Sequence, residues 1–173
     1  MRKGQIWIET VIYTLIGLSL IGLVLAIITP RINEFKDRSV IDQTISSLNA
    51  FDAKVNEVLS APGNVRIIEY RMKRGSLYFD SMNDSIIFEL ADSRVLFSEP
   101  GVELSIGRIN VITFEGKKVH RVVLSLHYSQ NLTFEGQDQD IKKFSAASVP
   151  YKFFIENLGF ANNNIVIDIR EGA

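Results

Sequence analysis

The sequence predicts an α+β protein: one long N-terminal helix, apolar in its first half and amphipathic in its second, followed by an antiparallel β-sandwich-like head. Three observations predict it. The run from Ile6 to Thr29 is almost wholly apolar and broken only by Glu9. Apolar residues then recur at helical spacing as far as Ala61. Beyond Pro62 the pattern changes to short β-rich segments separated by turn residues.

Thr10 to Thr29 carries no charged side chain and amounts to about 30 Å of helix, the thickness of a hydrocarbon core. Arg2 and Lys3 lie before it; Arg31, Lys36 and Arg38 after it are interleaved with Glu34 and Asp37. Lysines and arginines are nearly balanced across the span, so orientation is weakly specified, and the short basic head favours an inside N-terminus. Trp7 suits an interfacial anchor, while Tyr13 suits an anchor or a subunit contact. Gly17, Ser19 and Gly22 are small enough for close helix contact, without GxxxG spacing. Pro30 reads as a kink rather than an end, because helical patterning resumes beyond it.

From Arg31 to Ala61 the apolar stripe runs through Ile41, Ile45, Leu48, Val55 and Leu59, with Ile32, Phe35, Phe51 and Val58 alongside. Lys36, Asp42, Asp52, Lys54 and Glu57 fall elsewhere, and Pro62-Gly63-Asn64 ends the helix. Strands are expected over Val65–Met72, Leu77–Phe79, Ile86–Leu90, Arg94–Phe97, Val102–Ile106, Ile109–Phe114, Val119–Tyr128, Tyr151–Ile155 and Ile165–Ile169. Turn residues at Lys73–Gly75, Ser81–Asp84, Glu99–Gly101 and Glu115–Lys118 separate them. Asn131 to Pro150 has no clear pattern and reads as a surface loop. Phe153, Phe154 and Phe160 are expected in the core.

Composition narrows the function. A net charge of −1 leaves no electrostatic footprint for nucleic acid. With no cysteine, disulfide scaffolds, thiolate metal sites and cysteine nucleophiles are excluded. His120 and His127 are the only histidines. Seven residues apart on one strand, they face opposite sides of the sheet and read as surface or half-buried residues. No nucleophile elbow, zinc-protease or phosphate-loop motif occurs. The acidic stretch Glu135-Gly-Gln-Asp138-Gln-Asp140 has oxygen ligands but no known calcium-loop spacing, and reads as a solvated loop. The expectation is no catalysis, no cofactor and no metal site. Asn83-Asp-Ser85 and Asn131-Leu-Thr133 are sequons, candidates for N-glycosylation at Asn83 and Asn131 in an exported domain.

Three readings compete for the N-terminal segment. A cleaved secretory peptide needs a small-x-small site after its apolar core, and Ala26-Ile-Ile-Thr29-Pro30 is a poor one. A plain signal anchor leaves Glu9 without a reason at the mouth of a membrane-length helix. The third is a leader cut before the apolar run, which keeps the helix.

Arg2-Lys3-Gly4-Gln5-Ile6-Trp7-Ile8-Glu9 resembles the class III signal peptide of archaeal type IV pilin-like proteins. The shared features are a basic head, a Gly-Gln junction and a glutamate at the fifth position of the mature chain. The resemblance covers residues 2 to 30. It implies cleavage between Gly4 and Gln5 by a prepilin peptidase, with residues 1–4 as leader. Residues 5–61 would form the polymerisation helix, membrane-spanning to about Thr29, and residues 62–173 an extracellular β domain. It also implies a single-pass membrane precursor that self-assembles into a homo-oligomeric surface filament for adhesion, driven by an assembly ATPase and a membrane platform.

Physical chemistry agrees. A new N-terminus at Gln5 carries a positive amine near the membrane interface, and Glu9 of a neighbouring subunit would pair with it in a dry helix bundle. An unpaired carboxylate there costs several kcal/mol. The simpler alternative is a Glu9 that snorkels to the headgroups near the helix start, where the helix dipole favours it. Two other functions stay open: a membrane-anchored extracellular β domain that binds a partner without polymerising, and a minor pilin that primes or tips the filament.

Overall fold

The computed structural model describes the backbone of residues 2–161 and 163–172, and side chains from Trp7 onward apart from those of residues 162 and 173. One helix, α1 (Arg2–Val58), is followed by ten strands. The chain divides into two compact units, Met1–Lys36 and Asp37–Ala173.

The first unit is helix alone. Its backbone continues unbroken through Pro30, although proline has no N–H for the carbonyl one turn back. Thr14, Ser19 and Thr29 turn their hydroxyls back to the carbonyls of Thr10, Leu15 and Leu25 at 2.7–2.8 Å. Each of these hydroxyl protons is thereby satisfied by the helix itself.

In the second unit, α1 contributes Asp37, Ile41, Thr44, Leu48, Phe51, Val55 and Val58 to the interior, a strict alternation of fours and threes. That spacing keeps one face of a helix turned to one core. The expected stripe holds from Ile41 on. It does not extend back to Ile32 and Phe35, which are exposed, because they precede the β-bearing unit. The helix stops at Val58, three residues short of the expected Ala61, and residues 59–63 form turns.

The strands are β1 (Val65–Tyr70), β2 (Ser76–Asp80), β3 (Ser85–Ser93), β4 (Glu103–Ile106), β5 (Ile109–Phe114), β6 (His120–His127), β7 (Asn131–Phe134), β8 (Ile141–Ser145), β9 (Tyr151–Ala161) and β10 (Asn164–Glu171). They form a four-stranded sheet ordered β1-β9-β10-β7 and a six-stranded sheet ordered β4-β5-β6-β3-β2-β8. The second is antiparallel throughout. In the first, β10 and β7 are parallel, which departs from the wholly antiparallel expectation. Here β8 and β9 supply the long crossover that a parallel pair needs.

Two further corrections concern strand placement. Arg94–Phe97 is not a strand, because its backbone groups are taken by side chains. The Arg94 N–H goes to the Asp37 carboxylate at 2.8 Å, and the Val95 N–H to the Ser93 hydroxyl at 3.1 Å. Conversely, β7 and β8 lie within the supposed 131–150 loop. Asn-Leu-Thr-Phe shows no alternation because three of its four side chains are buried. In β8, only Phe144 is buried.

Inner faces of both sheets and α1 share one core, with Phe79 of β2 at its centre. Its ring lies 5.0 Å from Phe153 of β9, 5.4 Å from Phe134 of β7, 5.7 Å from Phe144 of β8 and 5.8 Å from Phe51 of α1. Phe153 is core as expected; Phe154 is only half-buried and Phe160 is 72% exposed. Phe154 lies on the opposite face of β9 from Phe153, and Phe160 lies near the strand's end, past its last buried residue, Asn157. Gly75, at φ +85, makes the tight turn before β2, and a Cβ there would come within 2.5 Å of the Phe88 ring.

Buried Asn157 ties the helix end to β9. Its Nδ2 donates to the Val58 carbonyl at 3.0 Å, and its Oδ1 accepts the Gly159 N–H at 2.8 Å. Gly63 N–H donates to its carbonyl, and its own N–H donates to the Asn64 carbonyl. Asn157→Ala is expected to cost about 2 kcal/mol, since it leaves a helix-end carbonyl and a bulge amide without partners. The measurement is the shift of the urea unfolding midpoint.

Candidate functional site

The apolar half of α1 is the strongest candidate. It belongs to a helix that is long and apolar enough to cross a membrane, and its most apolar stretch is 0% buried within the chain. Trp7 and Tyr13 are 71% and 72% exposed. A Cβ added at Gly17 or Gly22 would meet nothing within 4 Å, so both notches are open to a neighbour. Among the described residues nothing covers this surface, and its length and apolar composition are compatible with a membrane span.

Glu9 lies on this exposed surface and makes no ion pair among the described residues. Its neighbours one turn to either side are apolar or uncharged. Gly4 and Gln5 lie outside the residues whose side chains are described, so the expected junction has only the helical course of its backbone. Among the described residues nothing brings a cation to Glu9.

The two sequons differ in setting. Asn83 sits exposed in the β2–β3 turn, where Asp80 accepts its Nδ2 at 2.8 Å and the Met82 and Asn83 N–H groups at 3.1 Å. Ser85 is buried and its hydroxyl has no partner. Asn131 is half-buried on β7, and Thr133 is buried with its hydroxyl donating to Asp168 at 2.7 Å. Strand pairing thus holds the second sequon more firmly than the first. Both border one polar cleft of about 300 Å³ lined by Ser81, Met82, Asp84, Asn131, Asp138 and Gln139.

Asp138 and Gln139 bring part of the acidic stretch to that cleft, while Glu135 to Asp140 are all exposed. Among the described residues, no group of three or more His, Cys, Asp or Glu could hold a metal ion. His120 is half-buried and accepts the Gly116 N–H at 3.3 Å; His127, at the other end of β6, is exposed. They stand on opposite faces and form no pair.

Asp37 was not visible in the sequence as anything but a flanking charge. In the structure it is 3% exposed, pairs with Arg74 and accepts the Arg94 N–H. A second contact of Arg74, to Asp92 at 3.0 Å, extends the network. Burial disfavours the charge on Arg74, but Asp37 and Asp92 outweigh it and hold the guanidinium above its ordinary pKa. No signal of spacing or composition marks such a contact, because its partners are far apart in the chain.

No protein-family model, curated protein or solved structure matches the chain. The functional reading therefore stands on the residues themselves.

Proposed function

We propose that this chain is the structural subunit of an archaeal type IV pilus-like surface filament, made as a single-pass membrane precursor and cleaved after Gly4. One observation carries the proposal: the Gly4-Gln5 junction, the Glu9 carboxylate and an uncharged span beginning at Thr10 occur together in one helix. The uncovered apolar surface supports it, because the same residues can be held in lipid and then against other subunits. Glu9 would pair with the Gln5 amine of a neighbour, and the β domain would form the outer surface that meets the adhesion target. Assembly would use a prepilin peptidase, an ATPase and a membrane platform.

Mass spectrometry of the protein extracted from its native membrane tests the first step. The expected N-terminus is Gln5. An intact Met1 would sink the pilin reading and leave a membrane-anchored binding domain in its place.

A further inference from the structure

The two edges of the six-stranded sheet are complementary in direction, length, charge and face. Every neighbouring pair in that sheet is antiparallel, so its edge strands, β4 and β8, run in opposite directions. A second copy in the same orientation therefore brings its β8 antiparallel to β4, and the ladder continues without reversal. The four-stranded sheet lacks this property, since its parallel β10–β7 pair makes β1 and β7 run the same way.

Charge distinguishes the two edges. β4 carries Glu103 and no basic residue; β8 carries Lys142 and Lys143 and no acidic one. Lysines on an edge normally deter pairing. Here they oppose β8–β8 contact, which sets ammonium against ammonium, yet suit an acidic edge. Glu103 and Lys143 also share the outer face. Leu104 and Phe144, one residue away from each, are opposite the buried Val111 and Leu77. With Glu103 opposite Lys143, Leu104 meets the aliphatic stem of Lys142 and Ser105 meets Ile141. Apolar side chains at both edges, Leu104 at 42% and Ile141 at 50% exposed, gain cover. The Tyr151 hydroxyl already takes the Ser145 carbonyl, so the contact runs through Ile141–Lys143, opposite Glu103–Ser105, with Phe144 opposite Val102.

We propose that β4 of one copy pairs with β8 of the next, Glu103 against Lys143, joining the β domains head to tail into one continuous sheet. The proposal rests on the filament reading and names the contact between its subunits' outer domains. A head-to-tail contact that does not close on itself generates an open helical array, and strand twist of about −20° per step supplies rotation.

The chain has no cysteine, so paired substitutions report the contact cleanly. Opposite residues of an antiparallel pair lie about 4.5–5.5 Å apart, within disulfide range. The full-length chain carrying Ser105→Cys and Ile141→Cys together, mildly oxidised in its membrane, should give a ladder of covalent multimers. Each single variant alone should stay monomeric, and a mixture of the two should stop at dimers. Adding Glu103→Lys should abolish the ladder, and Lys143→Glu on top should restore it. Absence of the ladder, or dimers from either single variant alone, overturns the proposal. The unsubstituted chain gives a second check, zero-length coupling of Glu103 to Lys143. Within one copy these residues stand five strand spacings apart, about 24 Å, so any such link joins two copies, and its absence counts against the pairing. The N-terminal mass of the same sample separates the two ideas. A Gln5 start without a ladder sinks the edge pairing alone, whereas a Met1 start sinks the filament reading.

Discussion

Glu9→Ala should abolish filaments while leaving leader removal unchanged. The helix gives this carboxylate no partner of its own among the described residues, and Thr10 onward is uncharged. In a precursor within a bilayer, Glu9 can reach the headgroups, so losing it costs the membrane-held form little. In a bundle the neighbours displace water. Each Gln5 amine then needs a counter-charge, and without one the unpaired ion costs several kcal/mol at every subunit. That penalty recurs along a polymer, so even a modest loss per contact stops growth. Two measurements check it: electron microscopy of cell surfaces for filaments, and the N-terminal mass of the membrane-held protein for cleavage. Normal filaments in the variant would show that Glu9 only snorkels at the helix start, where the dipole already favours it.

The amphipathic half of α1 was legible in the sequence because its burial is periodic. Ile41, Leu48, Phe51, Val55 and Val58 are all fully buried, and a 3.6-residue period can be read without knowing the partner. The hairpins were legible for a similar reason: β2 and β3 flank the Ser81–Asp84 turn, and β5 and β6 flank Glu115–Lys118. What failed was local in appearance but tertiary in cause. β7 is buried on both faces, so it has no alternation to read. Phe160 looked like core by residue type, yet it lies near the end of β9, past the last residue that the core covers. Arg94–Phe97 looked like a strand until Asp37, far away in the chain, took its first amide.

The proposed site residues divide along the same line. Glu9, Gly4 and Gln5 form a linear signature, and such signatures are visible in sequence whatever the fold does. The edge contact proposed for Glu103 and Lys143 depends on the order of strands in a sheet, and β8 was not recognised as a strand at all. Its lysines therefore read as ordinary loop charges. Only the strand order reveals that they line a free edge opposite an acidic one.

Phe79→Ala should be the most damaging single substitution in the β-bearing unit, with an expected loss of about 3–5 kcal/mol. Phe79 is 0% exposed, and its four ring partners come from α1, β7, β8 and β9. Its removal forfeits the transfer energy of the ring and the ring–ring contacts, worth about 0.5–1.5 kcal/mol each. Collapse cannot recover much of this. Closing the void requires two sheets and a helix to move together, and each is pinned elsewhere, as Asn157 pins the helix end. Phe160→Ala, at a 72% exposed position, makes the control and should change stability by no more than about 0.5 kcal/mol. Urea unfolding of the detergent-solubilised full chain distinguishes them: a much lower midpoint at unchanged slope for Phe79→Ala and none for Phe160→Ala. Equal losses for the two would mean that the aromatic cluster is not the centre of this core.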